Sequence, residues 1–181
     1  GHAAVWIGNE QELRELGLWD HPVVAKYQGQ IRRGRGVVEA LRSGVEMNTL
    51  AHFMNVDDLA VLRHRDLDRE SRARAILQAL RQVGKAYDFN FDTQSTNRIV
   101  CSELVYHAYG DVPWPTERKL GRVVVSPDNI AQEAVNGGPF RVTLLYHDGV
   151  EITEGPDARL ARLIEPRVVA LARGGTEHLA P

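Results

Sequence analysis

The sequence predicts an α+β fold in one domain, and three observations lead there. Short apolar runs flank tight-turn dipeptides, as the strands of an antiparallel sheet do. Two other segments switch to a helical period, one after Arg69 and one beginning at Cys101, the only cysteine in the chain. With 181 residues, 43% hydrophobic and 25% charged, the chain can bury a single sizeable core. Strands and helices of this kind combine as a central antiparallel sheet packed against the cysteine helix, with the other helices outside.

Along the chain, Ala3 to Ile7 reads as a strand ended by Gly8-Asn9, and Glu10 to Leu16 as a short polar helix stopped by Gly17. From Trp19 through Pro22 to Arg32-Arg33-Gly34-Arg35-Gly36 the pattern is loop-like and long for a compact domain. Residues 9–36 are therefore expected to form an inserted loop or lid, with a solvated surface loop as the alternative. Val37 to Leu41 and Val45 to Met47 flank Ser43-Gly44 and predict a β-hairpin; Asp58 to Leu62 is a further strand. From Arg69, the residues Ala73, Ile76, Leu77, Leu80 and Val83 share one helical face, and Gly84 stops the helix. A polar loop, Asp92 to Asn97, precedes the cysteine helix, whose inner face is Leu104, Val105 and Ala108 and which ends at Gly110. Ser126-Pro127 places an N-cap before proline at the first helical position and opens a helix through about Ala134. Phe140 to Tyr146 and Val150 to Thr153 form a second hairpin around His147-Asp148-Gly149. Asp157 to Arg173, interrupted by Pro166, reads as an amphipathic packing helix, with membrane-surface binding as the minor reading.

Several function classes are disfavoured. A formal charge of −2 supplies no basic field for nucleic acid, and no apolar run approaches the ~20 residues of a membrane span. No paired cysteines or spaced histidines argue for zinc, and neither a phosphate-binding glycine loop nor a Gly-x-Ser-x-Gly elbow is present, so no metal or organic cofactor is expected. One cysteine makes no internal disulfide, so cysteine usage does not separate a reducing cytoplasm from an oxidising envelope. The chain opens inside what reads as a strand, and upstream residues, including an N-terminal strand, are expected to be missing.

Cys101 is the candidate for the chemistry. In Arg98-Ile99-Val100-Cys101-Ser102-Glu103-Leu104-Val105-Tyr106 an extended run turns into a helix, which puts the thiol at a helix N-terminus. Unpaired N–H groups and the positive dipole end there favour a thiolate and offer donors to an oxyanion. The alternative is a small buried hydrophobe. A cysteine nucleophile needs a base, and the base needs a polar group to hold its tautomer. Among seven histidines, His107 is rotated around the cysteine's own helix and pairs more naturally with Glu103. His52, His64, His147 and His178 have no distinguishing neighbours, and His21 reaches a site only if its loop folds over. His2 begins an apolar strand, a rigid position from which an imidazole can be aimed, although a terminal histidine is also often a frayed end. Glu39 stands inside the apolar strand Val37 to Leu41, either alternating out to solvent or held inward by a partner.

The segment Gly84-Lys85-Ala86-Tyr87-Asp88-Phe89-Asn90-Phe91, a polar loop, then Val100-Cys101-Ser102-Glu103-Leu104-Val105-Tyr106 resembles the signature of the permuted NlpC/P60 papain-like cysteine hydrolases, the group that includes bacterial YiiX- and YebB-like proteins. Ser126-Pro127-Asp128-Asn129-Ile130 is similar to the family's later segment. The resemblance implies a permuted papain-like fold, in which the histidine strand precedes the cysteine helix, and a triad of Cys101, His2 and Glu39. It also implies that Tyr87 donates its hydroxyl to substrate or oxyanion, with Asp88 and Lys85 as weaker candidates; core packing is the alternative for Tyr87. The reaction implied is hydrolysis of an amide or ester through an acyl-enzyme, and the substrate a small peptide or acyl-amide. A lipid acyl hydrolase or acyltransferase working on a lipid-derived substrate follows, then a non-catalytic binding module on the same fold. In the peptide reading the Arg32 to Arg35 cluster meets a substrate carboxylate.

Overall fold

Val5, Ile7, Val38, Ala40, Val45 and Met47 are all buried, and they give one apolar face to three strands that pair antiparallel in the order β1 (Ala4–Trp6), β2 (Val37–Leu41), β3 (Gly44–Asn48). The computed structural model describes residues 1–87, 98–119 and 122–173. The chain divides into two units, Gly1–Val56 with Asp66–Ile130, and Asp57–Arg65 with Ala131–Pro181.

In the first unit, β2 and β3 are joined across Arg42-Ser43, with Leu41 opposite Gly44. The sequence placed this turn one residue later, at Ser43-Gly44. Gly44 serves a different purpose. It sits at φ +125°, and a Cβ there would stand 2.7 Å from the Lys85 carbonyl oxygen, which accepts the Val45 N–H at 2.8 Å. Gly44→Ala combines left-handed strain with a steric clash against backbone and should cost about 2–4 kcal/mol of stability. A urea midpoint equal to that of the parent would contradict this.

Within residues 9–36, α1 (Glu10–Glu15) is the short helix expected from the sequence, but the stretch from Trp19 to Gly36 is not a loop: it contains α2 (Pro22–Ala25) and α3 (Gln28–Arg32), and the segment buries Leu13, Trp19, Val24 and Ile31. Asn9 and Glu12 form a capping box on α1, and the His21 ring caps α2 ahead of Pro22. Glu10 accepts from Arg14 and Arg32, whose guanidiniums lie 4.8 and 5.1 Å from the Trp19 ring centroid. Helices of four and five residues complete too few turns to display a period, which is why α2 and α3 do not show in the sequence pattern.

Thr49 caps α4 (Leu50–Phe53) and Asp68 caps α5 (Arg69–Gln82). The buried face of α5 is Ala75, Ile76, Ala79, Leu80 and Gln82, which keeps the expected Ile76 and Leu80 but is rotated away from Ala73. Two short strands, β5 (Ala86–Tyr87) and β6 (Arg98–Ile99), pair in parallel. After Val100 the chain enters α6 (Cys101–Ala108), which buries Leu104, Val105 and Ala108 as expected and packs against α5, β1 and β2. A hairpin of β7 (Glu117–Lys119) and β8 (Arg122–Val124) was not foreseen. At the start of α7 (Pro127–Val135), Ser126 and Asn129 exchange hydrogen bonds at 2.8 and 3.1 Å.

In the second unit, β4 (Leu59–His64), β9 (Phe140–His147) and β10 (Val150–Glu151) form an antiparallel sheet in the order β10-β9-β4. Asp148 and Gly149, at φ +52° and +73°, make the expected tight turn between β9 and β10. α8 (Pro156–Arg173) packs on β9 and continues through Pro166. Among the described residues no helix is long and apolar enough to cross a membrane.

Candidate active site

Three elements far apart in sequence bring three side chains together. His2 lies just ahead of β1, Glu39 at the centre of β2, and Cys101 at the first position of α6. Strand register explains the first meeting: Ala4 is opposite Glu39, so the chain running back from Ala4 carries His2 along the face from which Glu39 projects. The His2 Nε2–H donates to Glu39 Oε2 at 2.8 Å. Glu39 is only 3% exposed, whereas the His2 side chain is 37% exposed and open to a reactant.

Cys101 is buried to 8% exposure. Val100 is extended (φ −97°, ψ 167°), donates its N–H to Glu103 Oε2 at 3.0 Å, and accepts the first helical bond from Leu104 at 3.1 Å. The N–H groups of residues 101 to 103 therefore lie in the first turn, where no intrahelical acceptor exists for them. The Cys101 thiol hydrogen-bonds to the His2 imidazole and receives backbone N–H groups of Ala3 and Ser102. Because Nε2 of His2 is committed to Glu39, the ring nitrogen left for sulfur is Nδ1.

Burial pushes the Cys101 thiol up, but the His2 hydrogen bond, the Ala3 N–H, the imidazolium charge and the Ser102 N–H outweigh it, and the net pKa lies below the ordinary thiol value. The same hydrogen bond to Cys101 is the largest influence on His2 and raises it; burial opposes, and Glu39 adds to the rise. Both shifts favour a thiolate–imidazolium pair, and the two groups titrate as a pair.

Three neighbours of this cluster were not found from the sequence. Asn48 donates Nδ2–H to Glu39 Oε1 at 2.9 Å. The His52 ring, passed over for its polar surroundings, has Nε2 at 4.0 Å from the same oxygen. The Phe53 ring lies tilted against His2, centroids 6.0 Å apart. The only sequence signal for Asn48 is its place on the strand after Glu39, and that requires the register.

Tyr87 is half-buried and pairs with Ile99, so its backbone lies beside the short strand that leads into Cys101. Asp88 and the loop Asp92 to Asn97 lie outside the described residues. Lys85 contributes its carbonyl to Val45. The arginine cluster is tied into the fold: Arg32 binds Glu10, and Arg35 Nη1–H reaches the Met47 carbonyl at 3.4 Å. His107 stacks edge-on against Tyr106 on α6. Among the described residues one group, Asp58, His147 and Asp148 in the second unit, brings three atoms able to ligate a metal within 4.8 Å of one another. Its imidazole is already bonded to Asp58 at 2.7 Å.

Residues 1–154 match the family model described as permuted papain-like amidase enzymes of the YaeF/YiiX, C92 family. Neither the curated proteins nor the solved structures give a match. The match agrees with the permuted papain-like fold and the YiiX likeness expected from the sequence, and the mixed helices and antiparallel sheets agree with that fold.

Proposed function

The chain belongs to this family of permuted papain-like amidases, and on that premise we propose that Cys101 is its nucleophile, His2 its general base and Glu39 the group that orients and stabilises the imidazole. The observation carrying the reading is the bond from His2 Nε2–H to the buried Glu39 carboxylate, with the thiol of Cys101 on the other side of the same ring. In this reading the thiolate attacks the carbonyl of a small peptide or acyl-amide. The Cys101 N–H in the first turn of α6, with the Tyr87 hydroxyl, receives the developing oxyanion. His2 passes its proton to the leaving amine as the C–N bond breaks, leaving a thioester. Water then attacks that thioester as His2 takes one of its protons, and the acid departs with the thiol restored.

The test is the rate of Cys101 alkylation by iodoacetamide against pH, in the parent and in His2→Ala. A thiol of ordinary pKa, ~8.5, is only about 0.3% ionised at pH 6. A lowered Cys101 and a raised His2 keep the pair ionised from below the thiol range to above the imidazole range, so the parent should still react rapidly at pH 6. His2→Ala should lower that rate roughly 100-fold. Coincident ordinary profiles in the two proteins would refute the activated pair.

One observation favours an apolar acyl group over a short peptide on the acyl side. Phe53, in contact with His2, is followed and preceded by Met54, Leu50 and Val56, which are 39%, 45% and 53% exposed. Leu50 on α4 and Met54 at its C-cap are one helical turn apart, which puts two exposed apolar side chains on the short helix whose Phe53 meets His2. In this second reading the substrate is a lipid-derived or long-chain acyl-amide.

A further inference from the structure

We propose that Asn48 is a positioning residue of this hydrolase, holding the Glu39 carboxylate in the rotation that keeps Oε2 on His2. The inference rests on the Cys101–His2–Glu39 reading above and adds to it the group that makes the buried carboxylate usable.

A carboxylate at 3% exposure needs partners on both oxygens, because each unpaired oxygen retains the full cost of losing water. Oε2 accepts from His2 at 2.8 Å, and Oε1 accepts from Asn48 Nδ2–H at 2.9 Å. The hairpin builds this second contact. Glu39 is opposite Glu46 and Val37 opposite Asn48, so Asn48 stands one diagonal step from Glu39 on the same face of the sheet. Among the described residues, the charged or titratable groups around the carboxylate are these. Glu46 is opposite on β3, with its own carboxylate turned to the Ser43 hydroxyl. His52 comes from α4 at 4.0 Å, beyond hydrogen-bond distance, with its side chain 61% exposed. His2 lies ahead of β1, with Cys101 behind it on α6. Among the described residues, Asn48 is what hydrogen-bonds Oε1.

The amide is neutral at every working pH, so it satisfies the oxygen without cancelling the charge that must balance an imidazolium. Without it, Oε1 is left as a buried anionic oxygen with no donor among the described residues. The carboxylate relieves this by rotating toward His52, which draws Oε2 off His2. That weakens the support of the imidazolium and, through it, the thiolate. The effect therefore reaches the chemistry and is not confined to folding.

The test uses the whole chain with Asn48→Leu, which keeps the side-chain shape, and Asn48→Ser, which shortens it beyond reach of Oε1, with His52→Ala as the comparison. Iodoacetamide alkylation is followed against pH and amide hydrolysis by kcat and KM, on variants shown by circular dichroism to be folded. In either Asn48 variant the acid limb of alkylation should move up by about one pH unit, roughly a tenfold lower rate at pH 6. kcat should fall by about the same factor with KM nearly unchanged, and His52→Ala should leave the limb in place. A folded Asn48 variant whose acid limb coincides with the parent's overturns the proposal, as does an equal shift in His52→Ala. The two readings fail separately. If the parent itself shows an ordinary thiol profile, the triad is refuted; if the parent is activated and the Asn48 variants match it, only the role of Asn48 falls.

Discussion

Cys101→Ala should eliminate turnover of amide substrates, a loss on the order of 10⁶-fold as expected for removal of a covalent nucleophile, while leaving the fold and the His2–Glu39 bond in place. The fold survives because the sulfur contributes little packing that alanine does not, and the α6 core of Leu104, Val105 and Ala108 is untouched. A suitable panel is a series of N-acyl amides of increasing acyl length beside short peptide amides. Loss of turnover in Cys101→Ala across the whole panel places the cysteine in the chemistry. Residual activity above about a hundredth of the parent rate would remove it from that role. The same panel separates the two substrate readings. A rise of about two- to fourfold in kcat/KM per added methylene is what burial on the Leu50–Val56 surface predicts, and a flat series favours the peptide.

Glu39→Gln should be the next most damaging change, lowering kcat by about 10²- to 10⁴-fold with the sheet intact. Glutamine keeps the shape of the side chain but can present its amide N–H₂ to His2. That favours the imidazole tautomer with a proton on the nitrogen facing sulfur, which cannot then act as base. It also removes the negative charge that balances the imidazolium, so the alkylation profile should move toward that of a plain thiol. Because Glu39 is buried between His2 and Asn48, solvent offers no substitute. A kcat within threefold of the parent would show that Glu39 is a structural acid only.

The reactive centre was more legible than its support. An extended run passing into a helix is a local pattern, so the position of Cys101 at the start of α6 could be read from Arg98 to Tyr106 alone. His2 at the start of an apolar run and Glu39 inside another stand out as polar residues, and the family resemblance joins them to Cys101; Glu39 lies on β2, and His2 lies two residues ahead of Ala4, where β1 begins. Where the reading of local pattern went wrong, a longer-range constraint had set the residue. Glycine favours turns, so the pattern at Ser43-Gly44 predicts one, but the freedom of Gly44 is needed where the backbone passes the Lys85 carbonyl. The stretch from Trp19 to Gly36 reads as a loop because α2 and α3 are shorter than the window in which a helical period can be recognised.

The sequence by itself determined the class of fold, the helix that Cys101 opens and the family, because each depends on patterns carried within short stretches of chain. Only the tertiary structure decided what surrounds Cys101 and His2: that Asn48 rather than solvent satisfies the second oxygen of Glu39, that Phe53 lies against His2, and that Arg32 binds Glu10 while Arg35 reaches the Met47 carbonyl. Those contacts depend on hairpin register and on helix placement. A shift of one residue in register would turn Asn48 to the other face of the sheet, and nothing in the identity of the residue reveals the register it occupies.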